Sequence, residues 1–254
     1  MAIPAKIKAV SAAVVFLALT ASAAYCAELA ELTSQLDRAQ WPAEFARVAA
    51  RLEIMASPGE DGGLIVPEGA LTQLARADYL IGEAECDKKK RLAFFNKSIA
   101  ASDRALAGSP DDIRALYWRS MACLQKADIV GGISALGLVK HALKAFEEVA
   151  AKDPAYDRAG ALRSHGKVLM EAPAWAFVGD RVKGVALLER AKSIDPASLL
   201  NRLYLADAYA ETGREPEART ELMFIMSAPL DSLKPMDDEK VKKDAARLLD
   251  KLGG

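Results

Sequence analysis

The residues with the most chemical reach in this sequence are two histidines, His141 and His165. Imidazole is the usual general base and the commonest metal ligand near neutral pH. These two fall on separate helical stretches, and neither has the H-E-x-x-H spacing that sets two imidazoles on one helix face. Glu147-Glu148 is a carboxylate pair by sequence only, because adjacent helix positions point in different directions. Gly132-Ile133-Ser134-Ala135-Leu136-Gly137 has the glycine spacing of a phosphate loop, but Leu138 stands where that loop needs lysine and no strand leads into it. Asp180, between Gly179 and a helix, suits an N-cap. No nucleophile–base pair, metal set or cofactor motif emerges, so the sequence predicts a binding protein and not an enzyme.

Binding chemistry then rests on aromatic side chains. Tyr117, Trp118, Trp175, Phe177 and Tyr204 lie in helices or their connections, where they can pack the core or line a binding groove. Trp175 and Phe177 stand out, because they occupy a long connection that a purely structural unit does not need.

The elements that must carry these residues are helices. Leu29, Leu32 and Leu36, and then Phe45, Val48, Ala49, Leu52 and Met55, recur at helical spacing on either side of Trp41-Pro42. They predict an N-terminal hairpin over 28–56, followed by a loop at Ser57–Gly63 and a short extended piece at Leu64-Ile65-Val66. From Pro67 to Pro229 four helix pairs follow, punctuated by Pro110, Pro154 and Pro196. Ser109, Asp153 and Asp195 precede three of these prolines and read as N-caps with proline in the first turn. The pairs are expected near 71–106, 113–151, 159–192 and 199–226, with Gly131–Gly137 and Ala172–Gly179 as long connections. Residues 238–252 predict an amphipathic C-terminal cap bearing Val241, Ala245, Leu248, Leu249 and Leu252 on one side.

One stretch shows the repeat outright. Gly179, Gly184, Leu188, Ala191 and Pro196 recur as Gly213, Ala218, Leu222, Ile225 and Pro229. A period near 34 residues is the mark of stacked helix pairs. The fold class is therefore all-α: one α-solenoid domain over 28–254, built of antiparallel helix pairs with capping helices at both ends.

Leu205-Ala206, Tyr209, Gly213, Ala218, Leu222 and Pro229 together resemble a tetratricopeptide repeat (TPR). The longer units resemble the degenerate repeats of the T-component of TRAP (tripartite ATP-independent periplasmic) transporters. That likeness is carried by Asp87-Lys88-Lys89-Lys90-Arg91-Leu92, Ala115-Leu116-Tyr117-Trp118, Gly132-Ile133-Ser134-Ala135-Leu136, Ala172-Pro173 and Gly179-Asp180. The first resemblance implies a scaffold that binds a protein or peptide partner through its groove. The second implies an oligomeric periplasmic protein that docks onto a solute-binding protein and handles a small apolar ligand.

Composition bounds the rest. Hydrophobic residues are 52% and charged residues 27%, enough for a substantial core. The formal net charge is −1 and no basic stripe stands out, which argues against nucleic acid as a ligand. Residues 1–27 have the three parts of a secretory signal: Lys6 and Lys8, an apolar core from Val10 to Leu19, and small residues with Ala21-Ser22-Ala23 or Ala27 as cleavage sites. An uncleaved anchor is the alternative, since Ala9–Ala27 approaches the ~20 residues a span needs. Tyr25 stands where lipid attachment at Cys26 wants a small residue, so a soluble, exported, periplasmic form without a membrane span is expected. In that compartment Cys86 and Cys123 could pair, but both fall on helices, where a cysteine commonly serves as a small buried hydrophobe.

Overall fold

The computed structural model describes residues 23–57, 66, 69–172 and 179–253, and every regular element among them is a helix. α1 covers 23–38 and α2 Pro42–Met55. Then follow α3 (Ala70–Ala84), α4 (Lys88–Gly108), α5 (Ile113–Val130), α6 (Gly132–Lys152), α7 (Tyr156–Glu171), α8 (Arg181–Ile194), α9 (Leu199–Glu211), α10 (Glu215–Ser227) and α11 (Pro235–Lys251). α3 pairs with α4, α5 with α6, α7 with α8 and α9 with α10, and each pair rests on the next. α3, α5, α7 and α9 also touch in succession and form an inner layer, leaving the even-numbered helices outside.

Small residues set the spacing within a pair. A Cβ placed on Gly166 of α7 would lie 2.8 Å from Leu188 Cγ and 3.0 Å from the carbonyl oxygen of Gly184 on α8. The two helices meet backbone to backbone there, which only glycine allows. Ala218 of α10 takes the place of Gly184 one unit later and is fully buried. The rest of the repeat is buried in step: Leu188 with Leu222, and Ala191 with Ile225. Burying each of these leucines contributes about 1.5–3 kcal/mol.

Helix boundaries differ from the sequence expectation in two places. The residues before the prolines are not N-caps. Ser109, Asp153 and Asp195 are the C-caps of α4, α6 and α8. A residue preceding proline is pushed out of the helical region, so the outer helix stops there. Asp153 and Asp195 then accept from backbone amides two and three residues on, forming the turn. The side chains that cap the following inner helices come later: Asp112 accepts from Arg114 N and Ala115 N, and Ser198 from Asn201 N. Second, Gly131–Gly137 is not a long connection. Gly131 and Gly132, both at φ +64°, make the bend, and α6 begins at Gly132.

Both ends of the stack are covered. Leu32, Leu36, Val48 and Leu52 of the N-terminal hairpin join the core shared with α3 to α7. Val241 and Ala245 of α11 bury themselves against Leu199, Leu203, Leu222 and Ile225. The segment between α10 and α11 runs back to the other end of the chain. Arg158 pairs with Asp231 at 3.5 Å. Gln40, in the α1–α2 turn, donates through Nε2 to Leu233 O at 3.5 Å and accepts through Oε1 from Met236 N at 3.3 Å. These contacts bring the first and last connections of the solenoid together. Most of the loop and extended piece expected at 57–66 lies outside the described residues, apart from Ser57 and Val66.

Candidate binding groove

Met121, Leu124, Gln125 and Asp128 form one stripe of α5, at the spacing that aligns side chains along a helix. The same stripe recurs on α7 as Ser164, Lys167, Val168 and Glu171, 43 residues later. Tyr79 and Glu83 of α3 and Tyr204 of α9 flank the two stripes, and Gly131 of the bend with Gly132, Ala135, Leu136 and Val139 of α6 closes one side. Together with Ala127 and Ala172 they bound an open cavity of about 550 Å³. That lies within the ~300–1,000 Å³ of typical ligand sites.

The lining is apolar with a few placed charges. Lys167 pairs with Glu171 at 2.7 Å and lies over the Tyr204 ring at 4.3 Å. Burial lowers the affinity of Lys167 for its proton, but the Glu171 hydrogen bond and the nearby acidic groups outweigh it, so the ammonium is held charged. Burial pushes the Glu83 carboxyl up, opposed by Arg91 at 3.8 Å. Burial also pushes the Tyr79 phenol well above its usual range, so it meets a ligand as a neutral hydroxyl.

The sequence-derived aromatic set divides. Tyr204 lines the cavity. Tyr117 and Trp118 do not: Tyr117 is fully buried and Trp118 is 5% exposed. Each has a polar atom that needs a partner inside. Tyr117 donates to Asp157 Oδ2 at 2.5 Å, and Trp118 Nε1 donates to the Tyr156 hydroxyl at 2.9 Å. The rings pack edge to face at 4.9 Å, so they brace the inner helices behind the cavity. Trp175 and Phe177 lie outside the described residues.

The Tyr117–Asp157 bond belongs to a buried polar knot. Asp157, Arg158 and Ala159 take left-handed backbone angles, φ 49°, 56° and 63°. For residues with a side chain each costs roughly 1–2 kcal/mol. Arg163, 8% exposed, holds the turn: Nη1 donates to the carbonyls of Asp157 and Arg158, and Nη2 to Asp157 Oδ2. Asn201 accepts from Arg163 at 3.0 Å and donates to the carbonyls of Arg158 and Ala191. The knot ties α5, α7 and α9 together and so fixes the inner layer.

His141 is exposed on α6 and His165 is 4% exposed on α7, where burial and Lys183 lower its affinity for a proton. Among the described residues no group of three histidine, cysteine, aspartate or glutamate side chains is placed to hold a metal. Asp180 caps α8, accepting from Lys183 N at 2.9 Å. Cys86 is exposed, Cys123 is buried, and both are free thiols in this structure. No helix among the described residues is long and apolar enough to cross a membrane.

Most of the cavity wall escaped the sequence reading. Its signal was present, as a second stripe repeated on α5 and α7, but such a stripe looks like ordinary core until the inner layer is known.

No protein-family model matches this chain, and no curated protein matches it in sequence. Among solved structures it is similar to a thermophilic TPR protein of Thermus thermophilus, with a TM-score of 0.56 and 19% identity over 81% of this chain and 92% of that one. The MamA RS-1 ArsTM double mutant also aligns, with a TM-score of 0.40 and 20% identity over 78% of this chain and 94% of that one. The architecture is a TPR-like α-solenoid.

Proposed function

We propose that this protein is an exported, non-enzymatic scaffold that holds a segment of a protein partner in the groove of its inner layer. The observation that carries this is the cavity itself: equivalent stripes of successive inner helices face one open space, the surface that helical solenoids use for binding. Photo-crosslinking tests it. A benzophenone amino acid at Leu136 or Val168 is expected to trap a peptide-bearing partner, and the same probe at Lys144, exposed on α6, is not. Equal trapping from both positions would overturn the reading.

A second reading is favoured by the cavity's volume and its mostly apolar wall. Here the groove accepts a small apolar ligand, passed to or from a periplasmic solute-binding protein, in keeping with the T-component likeness. Native mass spectrometry decides: a co-purified lipid-sized mass, displaced by an apolar probe, supports this reading, and its absence together with peptide binding supports the first.

Export rests on the signal-like residues 1–27. Tyr25, inside that segment, packs as part of α1 against the core. Cleavage after Ala23 preserves that contact and cleavage after Ala27 removes it, so the first is the expected site. N-terminal sequencing of the exported protein checks it: a chain starting at Ala24 agrees, and one starting at Glu28 does not.

A further inference from the structure

We propose that the groove selects partner segments in which a lysine or arginine side chain stands among apolar ones; this rests on the reading of the groove as a peptide site. The motivating feature is a repeated exception to helix electrostatics. A helix C-terminus carries partial negative charge and favours cations in its last turn. α6, α8 and α11 follow the rule with Lys152, Lys192 and Lys251, while α2, α4 and α10 have no basic residue there. The four inner helices reverse it. None of α3, α5, α7 and α9 has a basic residue in its last turn, and they close instead with Glu83, Asp128, Glu171 and Glu211.

The inner helices share one direction, so these carboxylates gather at one end of the layer. Glu83, Asp128 and Glu171 line the cavity, and Glu211 lines a hollow that adjoins it through Lys167, Glu171 and Tyr204. Neutralisation from within the chain is incomplete. Lys167 pairs closely with Glu171, whereas Arg91 and Arg181 approach Glu83 and Glu211 only at 3.8 and 3.9 Å. Asp128 has no ion pair among the described residues. Lys167 is thus the one cation facing three carboxylates in the described lining. Local rules broken together at one cavity are what a functional site looks like.

Between the acids the wall is apolar, supplied by Met121, Leu124, Leu136, Val139 and Val168. An ammonium or guanidinium on its hydrocarbon stem suits both parts, with the stem against the wall and the head at the carboxylates. The cavity is open, with room for a few side chains, and accepts such a group presented by a chain that continues past it.

The test uses three dye-labelled hexapeptides of one apolar sequence, differing only in a central lysine, glutamine or glutamate, with anisotropy read at low and high salt. The lysine peptide is expected to bind about tenfold more tightly than the glutamine peptide at low salt, the worth of one charge-assisted hydrogen bond. The glutamate peptide is expected to bind least, and high salt to narrow the gaps. The isosteric double variant Glu83→Gln/Asp128→Asn should bring the lysine peptide's affinity to that of the glutamine peptide measured on the same variant. Equal binding of the lysine and glutamine peptides would overturn the charge selection and leave the peptide groove standing. Binding of none would overturn the groove reading itself. Free butylamine competing at the lysine peptide's own saturating concentration would assign the site to small amines instead.

Discussion

Asp78 offers the sharpest physical test of this core. It lies on α3 at 5% exposure, with Lys97 of α4 and Glu53 of α2 as the charged groups that act on it. Burial raises its carboxyl pKa to about 7; Lys97 opposes the shift and Glu53 adds to it. In the unfolded chain an aspartate titrates near ~3.9. As pH rises above that value the unfolded chain loses its proton while the folded chain keeps it, so stability falls with pH across the window. The loss is complete once pH passes about 7, and the distance between the two pKa values corresponds to about 4 kcal/mol. Asp78→Asn removes the ionisation and keeps the shape. Urea unfolding, followed by far-UV circular dichroism at intervals from about pH 4 to about pH 8, gives the stability of both proteins. The variant should match the parent at the acid end and exceed it by up to about 4 kcal/mol at the alkaline end. Other carboxyl groups titrate in both proteins and cancel in the difference. A difference that stays constant with pH would refute the reasoning, because Asp78 would then be solvated or paired in the folded protein.

Four further outcomes follow from the packing of particular residues. Arg163→Met deletes the buried guanidinium that holds the left-handed turn and leaves the half-buried Asp157 and the buried Asn201 without their partner; a loss of about 1–3 kcal/mol is expected in the same unfolding assay. Gly166→Ala gains up to ~1 kcal/mol of helix propensity but drives a methyl into Leu188 and the Gly184 carbonyl, so the net effect should be destabilising. Gly137→Ala, with nothing within 4 Å of the added methyl, should stabilise by ~0.5–1 kcal/mol, and thermal melts of the two separate packing from propensity. Gln40→Ala opens the contact between the two ends of the solenoid, and hydrogen exchange at the Met236 amide should rise while the α9 core amides stay protected.

The aromatic set read from the sequence divides for a reason that particular residues make plain. Tyr117 and Trp118 carry large rings with polar tips, the types expected at a binding surface, yet Asp157 and Tyr156 satisfy those tips inside the core. Asp157 lies 40 positions from Tyr117, and a left-handed turn brings it there, a conformation that nothing in Asp157-Arg158-Ala159 announces. Ser109, Asp153 and Asp195 have the side chains of N-caps, but the proline after each ends a helix before the next can start.

The sequence by itself determined that the chain is helical, that its helices come in repeating pairs and which residues are buried along the repeat. These depend on spacing along the chain, and spacing is what a sequence records: Leu188 and Leu222, or Gly184 and Ala218, occupy equivalent buried positions because the helix period and the repeat period place them there. The tertiary structure alone decided which helices form the inner layer, and therefore which second stripe of α5 and α7 faces open space and which acids share one end. The same α5 carries Tyr117 into the core and Asp128 into the cavity. Only the packing of α3, α4, α6 and α7 around it separates the two, since burial and charge complementarity are properties of neighbours apart in the chain.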